Sequence, residues 1–317
     1  MSEKLAADPI ANDASKAETR LAHICVGICT YKRAAMLRHL LNEISRQENG
    51  GLFTLSVVIT DNDEGRSAEP VVEAARAELG LDIKYCIEPR QNIALARNKV
   101  VENASGDYLA FIDDDEFPGT EWLLTLFNAC DKYKVDGVLG PVKPFFEEEA
   151  PKWVVEGRFY DRPSYPTGFV IDGPKGRTGN VLLRKSIFTG SEPPFRPEFR
   201  TGEDQDFFRR MIEKGHTFIW CHEAMAWEAV PPVRWSRKFI LKRALLRGAI
   251  SLRHPTCGVA CIFTSVLAIP CYALILPLQL LLGQGRFMRY ADRLFNHLGR
   301  ILALLRIDCV GEAYVTQ

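Results

Sequence analysis

The segment FIDDDE (111–116) ends an apolar run in a cluster of acidic residues. Unpaired carboxylates a few ångströms apart repel one another strongly where the dielectric constant is low, so the cluster requires a cation or solvent. Successive side chains of an extended segment point to opposite sides, which directs Asp113 and Asp115 towards one ligand and Asp114 elsewhere. Mg²⁺ or Mn²⁺, held by one or two carboxylates, suits this pattern. A solvated acidic turn at the end of a strand is the alternative.

A second acidic cluster occurs in TGEDQDF (201–207). A helix that starts at Thr201 or Glu203 has several carboxylates in its first turn, where the helix dipole stabilises negative charge. The other interpretation is chemical, with Asp204 or Glu203 as a general base directed at the same cleft as the metal. A positioned carboxylate that accepts the proton of a hydroxyl group accelerates the attack of that hydroxyl by about 10²–10⁴-fold.

The elements that must position these clusters alternate along the chain. Continuous apolar, β-branched runs predict strands buried on both faces, and segments with helical periodicity separate them. This alternation predicts right-handed βαβ units and an α/β fold with a mostly parallel sheet. The predicted strands cover residues 23–30, 55–60, 83–88, 107–112 and 178–188, with one or two more in 216–234 and a long functional loop region over 141–178.

Polar side chains gather where the predicted strands end. Thr30, Tyr31 and Arg33 follow the first strand, and Asp61 follows the second. Ligands of open α/β sheets bind beyond the carboxyl ends of the strands, so these residues are expected at a ligand site. Arg97, near the exit of the third strand, either supplies a guanidinium group for a diphosphate or is a solvated helix residue. The glycine-rich fingerprints of dinucleotide-binding folds and P-loops do not occur in the sequence.

The composition disfavours several classes of protein. The formal net charge of the 317 residues is zero, so no basic field indicates a nucleic-acid partner. The nine cysteines include no C-x-x-C pair, which disfavours zinc sites and a disulfide framework and fits a reducing compartment. Residues 1–21 are polar, lack the apolar stretch of a signal peptide and are predicted to form a disordered tail, with the domain that follows in the cytosol.

The last quarter of the sequence indicates a membrane. Residues 229–291 include nine basic residues and no acidic one, and residues 257–282 carry no charge. A transmembrane helix needs about 20 apolar residues, but two prolines interrupt this stretch and both of its flanks are basic. A re-entrant hairpin or an in-plane segment at an anionic surface fits best, and a single span or a buried helix in a dimer interface are the alternatives. Segment 286–306 is amphipathic and is also predicted to lie on the membrane.

Five motifs, taken in order, resemble a known family. They are ICTYKR (28–33), VVITDND (57–63), NIALARN (92–98), FIDDDE (111–116) and TGEDQDF (201–207). The ordered set on an alternating α/β chain resembles the inverting glycosyltransferases of family 2, which have the GT-A fold. Within the family it is similar to bacterial enzymes of the succinoglycan type, which extend lipid-linked repeat units of exopolysaccharides. The resemblance implies a catalytic domain over residues 22–235 and a membrane-associated helical region over residues 236–317.

The resemblance also implies roles for individual residues. The residues that would bind the nucleotide sugar are Thr30, Tyr31, Arg33, Asp61, Arg97, Asp113, Asp114, Gly179 and Asn180. Within this set, Asp61 would pair with the uracil ring, Arg97 would lie by the diphosphate and Asp113 would contact the ribose. Asp115 would bind the metal. Asp204 would be the catalytic base, with Glu203 beside it.

Three further positions bear on the acceptor and on the fit to the family. Trp153 would stack on an acceptor sugar, and a position in the core is its alternative. Ile93 stands where the family often has glycine, next to the expected phosphate site. The Q-x-x-R-W motif of processive polymerases is missing, and VRWSRK (233–238) resembles it only slightly. This difference favours the addition of a single sugar.

Residues and resemblance together predict a metal-dependent inverting glycosyltransferase. It would move one sugar from a nucleoside-diphosphate sugar to a hydroxyl of a lipid-linked saccharide at the cytoplasmic face of the cell membrane. The expected donor is a UDP-sugar. One alternative is transfer to polyprenyl phosphate itself, an ionised nucleophile that needs no base. Others are a non-catalytic membrane assembly protein with a degenerate GT-A fold and a nucleotidyltransferase on a similar scaffold.

Overall fold

The computed structural model describes residues 20–199, 202–252 and 257–307. Most of the predicted tail and Thr201 lie outside these residues. A seven-stranded sheet forms the centre of the molecule, with strand order β3-β2-β1-β4-β8-β6-β9, and a second sheet has the order β5-β10-β7. The strands are β1 (Ala22–Thr30), β2 (Phe53–Asp61), β3 (Ile83–Ile87), β4 (Tyr108–Phe111), β5 (Glu116–Pro118), β6 (Gly137–Leu139), β7 (Val142–Phe145), β8 (Val181–Arg184), β9 (Phe218–Trp220) and β10 (Ala226–Ala229).

The first four strands are parallel, as their sequence patterns predict. Alternate residues of β1 face opposite sides, so Ile24, Val26 and Ile28 join one core cluster while Cys25 joins the other. The helices are α1 (Ala34–Ser45), α2 (Glu69–Leu79), α3 (Ile93–Asn103), α4 (Trp122–Tyr133), α5 (Lys152–Gly157), α6 (Glu203–Glu213), α7 (Arg237–Ser251), α8 (Val259–Leu281) and α9 (Gln284–Leu304). The parallel arrangement brings the polar ends of β1, β2 and β4 to one edge of the sheet.

The second half of the sheet is mixed, and one expectation about it is corrected. Strand β8 runs antiparallel to both of its neighbours, β4 and β6. Within residues 141–178, predicted as a long loop region, the structure forms β7 and α5. Strand β7 pairs with β10 in parallel register, a long-range pairing that no local periodicity reveals. Strand β5, which begins at Glu116 of the acidic cluster, pairs antiparallel with the other side of β10, so β10 holds both β5 and β7.

Helix α8 runs continuously through Pro270 and Pro277, so the expected re-entrant hairpin is wrong. A proline removes one backbone hydrogen bond and kinks a helix, but it does not have to reverse the chain. The 23 residues extend about 35 Å at 1.5 Å per residue, enough to cross a bilayer core of about 30 Å. In the described part of the chain, α8 is the one helix that is long and apolar enough to span a membrane. Only 6% of its most apolar 18-residue stretch is buried inside the protein.

Helix α9 packs against α7 and α8, so its amphipathic face is not free as a whole. Met288 and Leu294 are buried, whereas Leu305, just beyond the helix, is 62% exposed. The expectation that the apolar side chains of segment 286–306 lie on a membrane is therefore wrong for Leu294. Arg300 donates to Ser265 Oγ at 2.7 Å, which attaches α9 to α8.

The crossing of α7 and α9 depends on glycine. A Cβ atom on Gly299 would lie 2.1 Å from the carbonyl oxygen of Leu245, and one on Gly248 would lie 1.9 Å from that of Asn296. Neither distance is sterically possible, so a side chain at either position forces the two helix backbones apart. The close contact holds α7 in a fixed position beside the carboxyl edge of the sheet.

We predict that Gly299→Ala lowers the free energy of unfolding by about 1–3 kcal/mol because the new methyl group overpacks the crossing. At a helix position with open space the same change would stabilise by up to about 1 kcal/mol. Denaturant unfolding of the purified full chain in detergent, followed by circular dichroism, measures the difference. Gly119→Ala is the control, because a Cβ there meets nothing within 4 Å. Unchanged stability of Gly299→Ala would contradict the packing described above.

Candidate active site

A cleft of about 420 Å³ opens at the carboxyl edge of the parallel strands. Its wall combines the ends of β1, β2 and β4 with the start of α3, strand β10, the turn that follows β10 and one face of α7. The residues that line it are Cys29, Thr30, Tyr31, Arg33, Asn62, Ile93, Arg97, Asp113, Asp114, Asp115, Arg162, Glu228, Arg234, Phe239, Lys242, Arg243 and Leu246. The structure therefore brings together most of the residues predicted to bind a nucleotide sugar.

Asp114 faces into the protein. Its Oδ2 accepts a hydrogen bond from Thr30 Oγ1 at 2.8 Å, and its Oδ1 accepts one from Arg33 at 2.9 Å. Burial raises the pKa of Asp114 to about 6, despite the opposing effect of Arg33. This carboxylate ties the end of β1 to the acidic segment. The predicted alternation of Asp113, Asp114 and Asp115 along an extended segment is wrong, because the backbone turns at Asp114 and Asp115 and Arg33 binds both of these side chains.

Asp115 lies between two guanidinium groups. Its Oδ2 accepts from Arg33 at 3.1 Å and from Arg234 at 2.9 Å. Its Oδ1 accepts no hydrogen bond from any residue that the structure describes, so one oxygen is available to a cation. Arg234 stands in the 3-10 turn Pro232–Trp235, which directly precedes α7.

Sequence reasoning missed the arginines that complete the site. Arg234 also donates to Glu228 at 3.0 Å, and Arg162 pairs with Glu228 and, at 3.2 Å, with Glu116. Burial first, and the nearby Asp113 second, hold the pKa of Glu116 well above its usual range. Arg162 is 46 residues from Glu116, and Arg234 is 119 residues from Asp115. No spacing rule in the sequence connects positions so far apart.

Asp113 and Glu203 share one arginine. Arg97 pairs with Glu203 and lies 3.5 Å from Asp113 Oδ1. Burial raises the pKa of Glu203 to about 7, although the charge of Arg97 opposes the shift. The second carboxylate oxygen of Glu203 is buried and has no hydrogen-bond partner among the described residues. Arg97 therefore links the acidic segment to the first turn of α6.

These contacts form two groups of ion pairs, which a hydrogen bond from the Asp113 backbone N–H to Glu116 at 3.4 Å joins into one network with more carboxylates than guanidinium groups. Its six carboxylates belong to Asp113, Asp114, Asp115, Glu116, Glu203 and Glu228, and its four guanidinium groups to Arg33, Arg97, Arg162 and Arg234. The network thus has two more carboxylates than guanidinium groups. The raised pKa values of Glu116 and Glu203 favour their protonated forms, and Lys242 and Arg243 lie on the same cleft outside the network. Burial also raises the pKa of Asp113, although the charge of Arg97 opposes the shift.

The residues present fit a divalent cation that the substrate helps to hold. Within residues 20–199, 202–252 and 257–307, no group of three or more His, Cys, Asp or Glu side chains is arranged to hold a metal ion unaided. Mg²⁺ in phosphate-binding enzymes usually has one or two protein carboxylates and takes its other ligands from phosphate and water. Asp115, with its unpaired oxygen at the cleft, meets that requirement.

Asp204 differs from the other carboxylates in the first turn of α6. Glu203 is held by Arg97, and Asp206 accepts from two arginines of its own helix, at 2.7 and 2.8 Å. Asp204 accepts a hydrogen bond from the neighbouring Gln205 amide at 2.8 Å and forms no ion pair with a described residue. It is half-buried and does not line the cleft itself, but its negative charge acts on Arg97.

The side chains of Asp61 and Asn180 form hydrogen bonds inside the protein. Asp61 is fully buried, and its Oδ2 accepts from Ala68 N and the Tyr85 hydroxyl, both at 2.8 Å. The Asn180 amide accepts from the Trp122 ring at 2.7 Å and donates to two backbone carbonyls. Neither residue lines the cleft, whereas Asn62, next to Asp61, does.

Gly179 and Trp153 occupy contrasting positions. A Cβ atom on Gly179 would lie 2.8 Å from Glu116 Oε1 and 3.0 Å from Asp113 Oδ2, so the lack of a side chain lets the backbone pass beside the acidic segment. Trp153 packs near Val154 in a small separate cluster, with Arg237 5.8 Å from its ring, and does not line the cleft. Gly179 therefore lies beside the acidic segment of the site, whereas Trp153 lies outside the site.

The sequence has curated relatives. The succinoglycan biosynthesis protein ExoM of Rhizobium meliloti (strain 1021) is 35% identical over 229 residues, which cover 71% of this chain and 73% of that protein. The uncharacterized glycosyltransferase YwdF of Bacillus subtilis (strain 168) is 38% identical over 94 residues, 30% of this chain and 33% of that protein.

Solved structures share the fold at low sequence identity. The mannosyltransferase PcManGT from Pyrobaculum calidifontis, in complex with GDP-Man and Mn²⁺, has a TM-score of 0.60 at 17% identity and covers 92% of this chain and 89% of its own. Residues 1–349 of TarS from S. aureus, in complex with UDP, have a TM-score of 0.53 at 16% identity, covering 90% and 92%. The fold is therefore that of the GT-A glycosyltransferases.

The sequence model of glycosyl transferase family 2 matches residues 25–188, which include β1 to β4, the acidic segment and β8. This match and the extent of the similarity to ExoM agree with the site described above. The chain belongs to glycosyl transferase family 2 and is a glycosyltransferase.

Proposed function

We propose that the protein is a metal-dependent inverting enzyme that transfers one sugar from a nucleoside-diphosphate sugar to a hydroxyl group of a lipid-linked saccharide. The observation that carries the proposal is the acidic segment at the cleft, where six carboxylates face four guanidinium groups and Asp115 Oδ1 accepts no hydrogen bond from a described residue. Exopolysaccharide synthesis is the proposed setting, because ExoM, 35% identical, is a succinoglycan biosynthesis protein.

The donor would bind across the ends of the parallel strands. Thr30 and Tyr31 would border the nucleoside, Asp113 would contact the ribose, and Arg97 would neutralise part of the diphosphate. Asn62 lines the cleft and Asp61 does not, but the side chains of both are already hydrogen-bonded inside the protein, so a contact of Asn62 with the base would use its backbone. Related folds have been crystallised with UDP, UDP-GlcNAc and GDP-Man, which supports a nucleotide sugar without choosing the sugar.

Mg²⁺ or Mn²⁺ would be held by Asp115 and, when bound, would neutralise the negative charge that develops on the departing nucleoside diphosphate. Two of the related structures contain Mn²⁺. Arg33 and Arg234 hold Asp115 from either side and so keep its carboxylate in one orientation. Carboxylate and phosphate oxygens favour a small, hard cation.

Asp204 would take the proton of the acceptor hydroxyl. A sugar hydroxyl is a poor nucleophile at neutral pH, and a carboxylate that accepts its proton during attack lowers the barrier. Glu203 and Asp206 are already paired with arginines, so Asp204 is the acidic residue of this turn that retains a carboxylate for the task. Attack on C1 opposite the leaving diphosphate inverts the anomeric configuration.

The acceptor side would face the membrane. Helix α8 exposes large apolar side chains along its whole length, among them Phe263, Leu274 and Leu281, which are 63%, 81% and 82% exposed. Exposed apolar area of this extent indicates a lipid or protein contact, and the basic residues around it favour an anionic, cytoplasmic surface. Residues 22–235 would form the catalytic domain and 236–317 the membrane-associated region, of which α7 also lines the cleft.

We predict that Asp115→Asn and Asp204→Asn have different effects. Asp115→Asn should weaken metal-dependent binding of UDP or GDP at least tenfold, because it removes the carboxylate that holds the cation. Asp204→Asn should leave this binding within twofold and lower turnover by about 10²–10⁴-fold, the usual effect of a general base. Titration calorimetry with Mn²⁺ present and a transfer assay with a panel of nucleotide sugars measure the two effects.

The same pair of variants separates the proposal from its alternatives. Glu213→Gln, in the exposed last turn of α6, is the control and should leave both measurements unchanged. Normal turnover of Asp204→Asn with a polyprenyl phosphate acceptor would favour the rival reaction, whose nucleophile is already ionised. Failure of the wild-type protein to bind any nucleoside diphosphate with metal would contradict the proposed function altogether.

We predict that aspartate on the exposed face of α8 detaches the protein from membranes. Leu274→Asp and Leu278→Asp each place a charge in the apolar layer at a cost of about 2.5–3.5 kcal/mol, and both positions are more than half exposed. Flotation with vesicles that contain phosphatidylglycerol measures the bound fraction. Leu52→Asp is the control, because Leu52 is exposed but far from α8 in sequence and belongs to the turn before β2. Equal flotation of all the variants would contradict membrane binding through α8.

A further inference from the structure

One face of α7 forms a wall of the cleft and carries positively charged side chains, in contrast to the acidic segment. Phe239, Lys242, Arg243 and Leu246 all line the cleft, and their spacing of three, four and seven residues places them on one side of the helix. Two cations therefore lie between two apolar side chains on the same helix face. Nothing in the assignment of the donor site uses these four residues.

The two cations lack anionic partners. Neither Lys242 nor Arg243 forms an ion pair with a residue in the described ranges, in contrast to Arg33, Arg97, Arg162 and Arg234 of the network. The guanidinium group of Arg243 lies 5.6 Å from the ring of Tyr160, an uncharged neighbour. Burial lowers the pKa of Arg243, and the more distant Glu228 does not compensate for it. Two such cations at a cleft indicate an anionic ligand.

The apolar neighbours indicate what that anion is attached to. Phe239 and Leu246 are half-buried, so they offer hydrocarbon surface on both sides of the charges. The chain continues from α7 towards α8, and both helices pack on α9, which places the cationic face in the same helix group as the exposed apolar helix. A diphosphate joined to a long hydrocarbon chain matches this surface, because its anionic group would meet the two cations and its hydrocarbon chain would meet the apolar side chains.

We propose that Lys242 and Arg243 bind the diphosphate of a prenyl-diphosphate carrier, to which the acceptor saccharide is attached. The proposal rests on the proposed function and deepens it, because it names the carrier and the residues that recognise it. A diphosphate also occurs in the donor, so the same chemistry has two sources. The donor diphosphate is assigned to the opposite wall, where Arg97 and the carboxylates for the cation lie, and the apolar neighbours on α7 favour the lipid.

The test measures two binding constants on the full-length protein in nanodiscs. Farnesyl diphosphate is titrated in the presence of EDTA, so that no metal at the acidic segment contributes to its binding. UDP is titrated separately with Mn²⁺. For the double variant K242Q/R243Q, we expect farnesyl diphosphate to bind at least tenfold more weakly and UDP with Mn²⁺ to bind within twofold of wild type.

Two single variants and one uncharged ligand serve as controls for the binding measurements. Lys238→Gln removes one charge from α7 outside the cleft lining and should bind farnesyl diphosphate like wild type, whereas the single variant Lys242→Gln, at an exposed position, should already weaken it severalfold. Farnesol should bind equally to wild type and double variant, since it has no diphosphate.

Several results would overturn the assignment. One is a wild-type protein that does not bind farnesyl diphosphate, and another is binding that the double variant retains. A loss of UDP binding in the double variant as large as the loss of farnesyl diphosphate binding would assign the two cations to the donor instead. Failure of the wild type to bind UDP with Mn²⁺ would reject the proposed function and would leave the farnesyl diphosphate measurement to decide the lipid site separately.

Discussion

The ion-pair network at the carboxyl edge of the sheet is the constraint on which the rest of the site depends. A buried charge without a partner costs several kcal/mol, so each carboxylate and each guanidinium group of the network restricts the position of the next. The network joins the end of β1, the acidic segment, the turn before α7, β10 and the first turn of α6. Segments that are distant in sequence therefore meet in one geometry, and the acidic segment is held at the cleft.

Within each acidic cluster the structure separates residues that hold the fold from one residue that remains available. Both oxygens of Asp114 are hydrogen-bonded, to Thr30 and Arg33, whereas one oxygen of Asp115 accepts no hydrogen bond from a residue that the structure describes. In α6, Glu203 is paired, and Asp204 makes a hydrogen bond only to its neighbouring amide among the described residues. Structural carboxylates of this kind orient the loop and the helix turn, so that Asp115 and Asp204 each hold a carboxylate oxygen at a defined place.

The first four strands and the helices between them could be predicted from the sequence because their signals are local. The burial of Leu37, Leu40, Leu41 and Ile44 in α1 follows directly from their helical spacing. The antiparallel insertion of β8 and the pairing of β7 with β10 could not be predicted, because strand pairing over long distances leaves no periodic signal.

The candidate site was predictable in part, for a related physical reason. Residue type and position at a strand end identified the acidic segment and Arg97, but neither specifies the direction of a side chain. Asp61 and Asn180 follow the same rule of position and yet turn inward, where they hydrogen-bond to backbone and aromatic groups. Arg162 and Arg234 were missed because arginines in irregular segments are usually solvated, and only the folded chain shows their carboxylate partners.

Helix α7 connects the two halves of the proposed function. In sequence it opens the apolar, basic region that follows the catalytic domain, but in the structure its face closes the cleft while its crossing with α9 is fixed by Gly248 and Gly299. The cleft and the apolar surface of α8 are therefore held in one helix group. For a lipid-carried acceptor, attachment of the enzyme to the same membrane raises the local concentration of that acceptor at the cleft. The saccharide itself then needs only modest affinity, and binding energy can be concentrated on the carrier's diphosphate and on the donor.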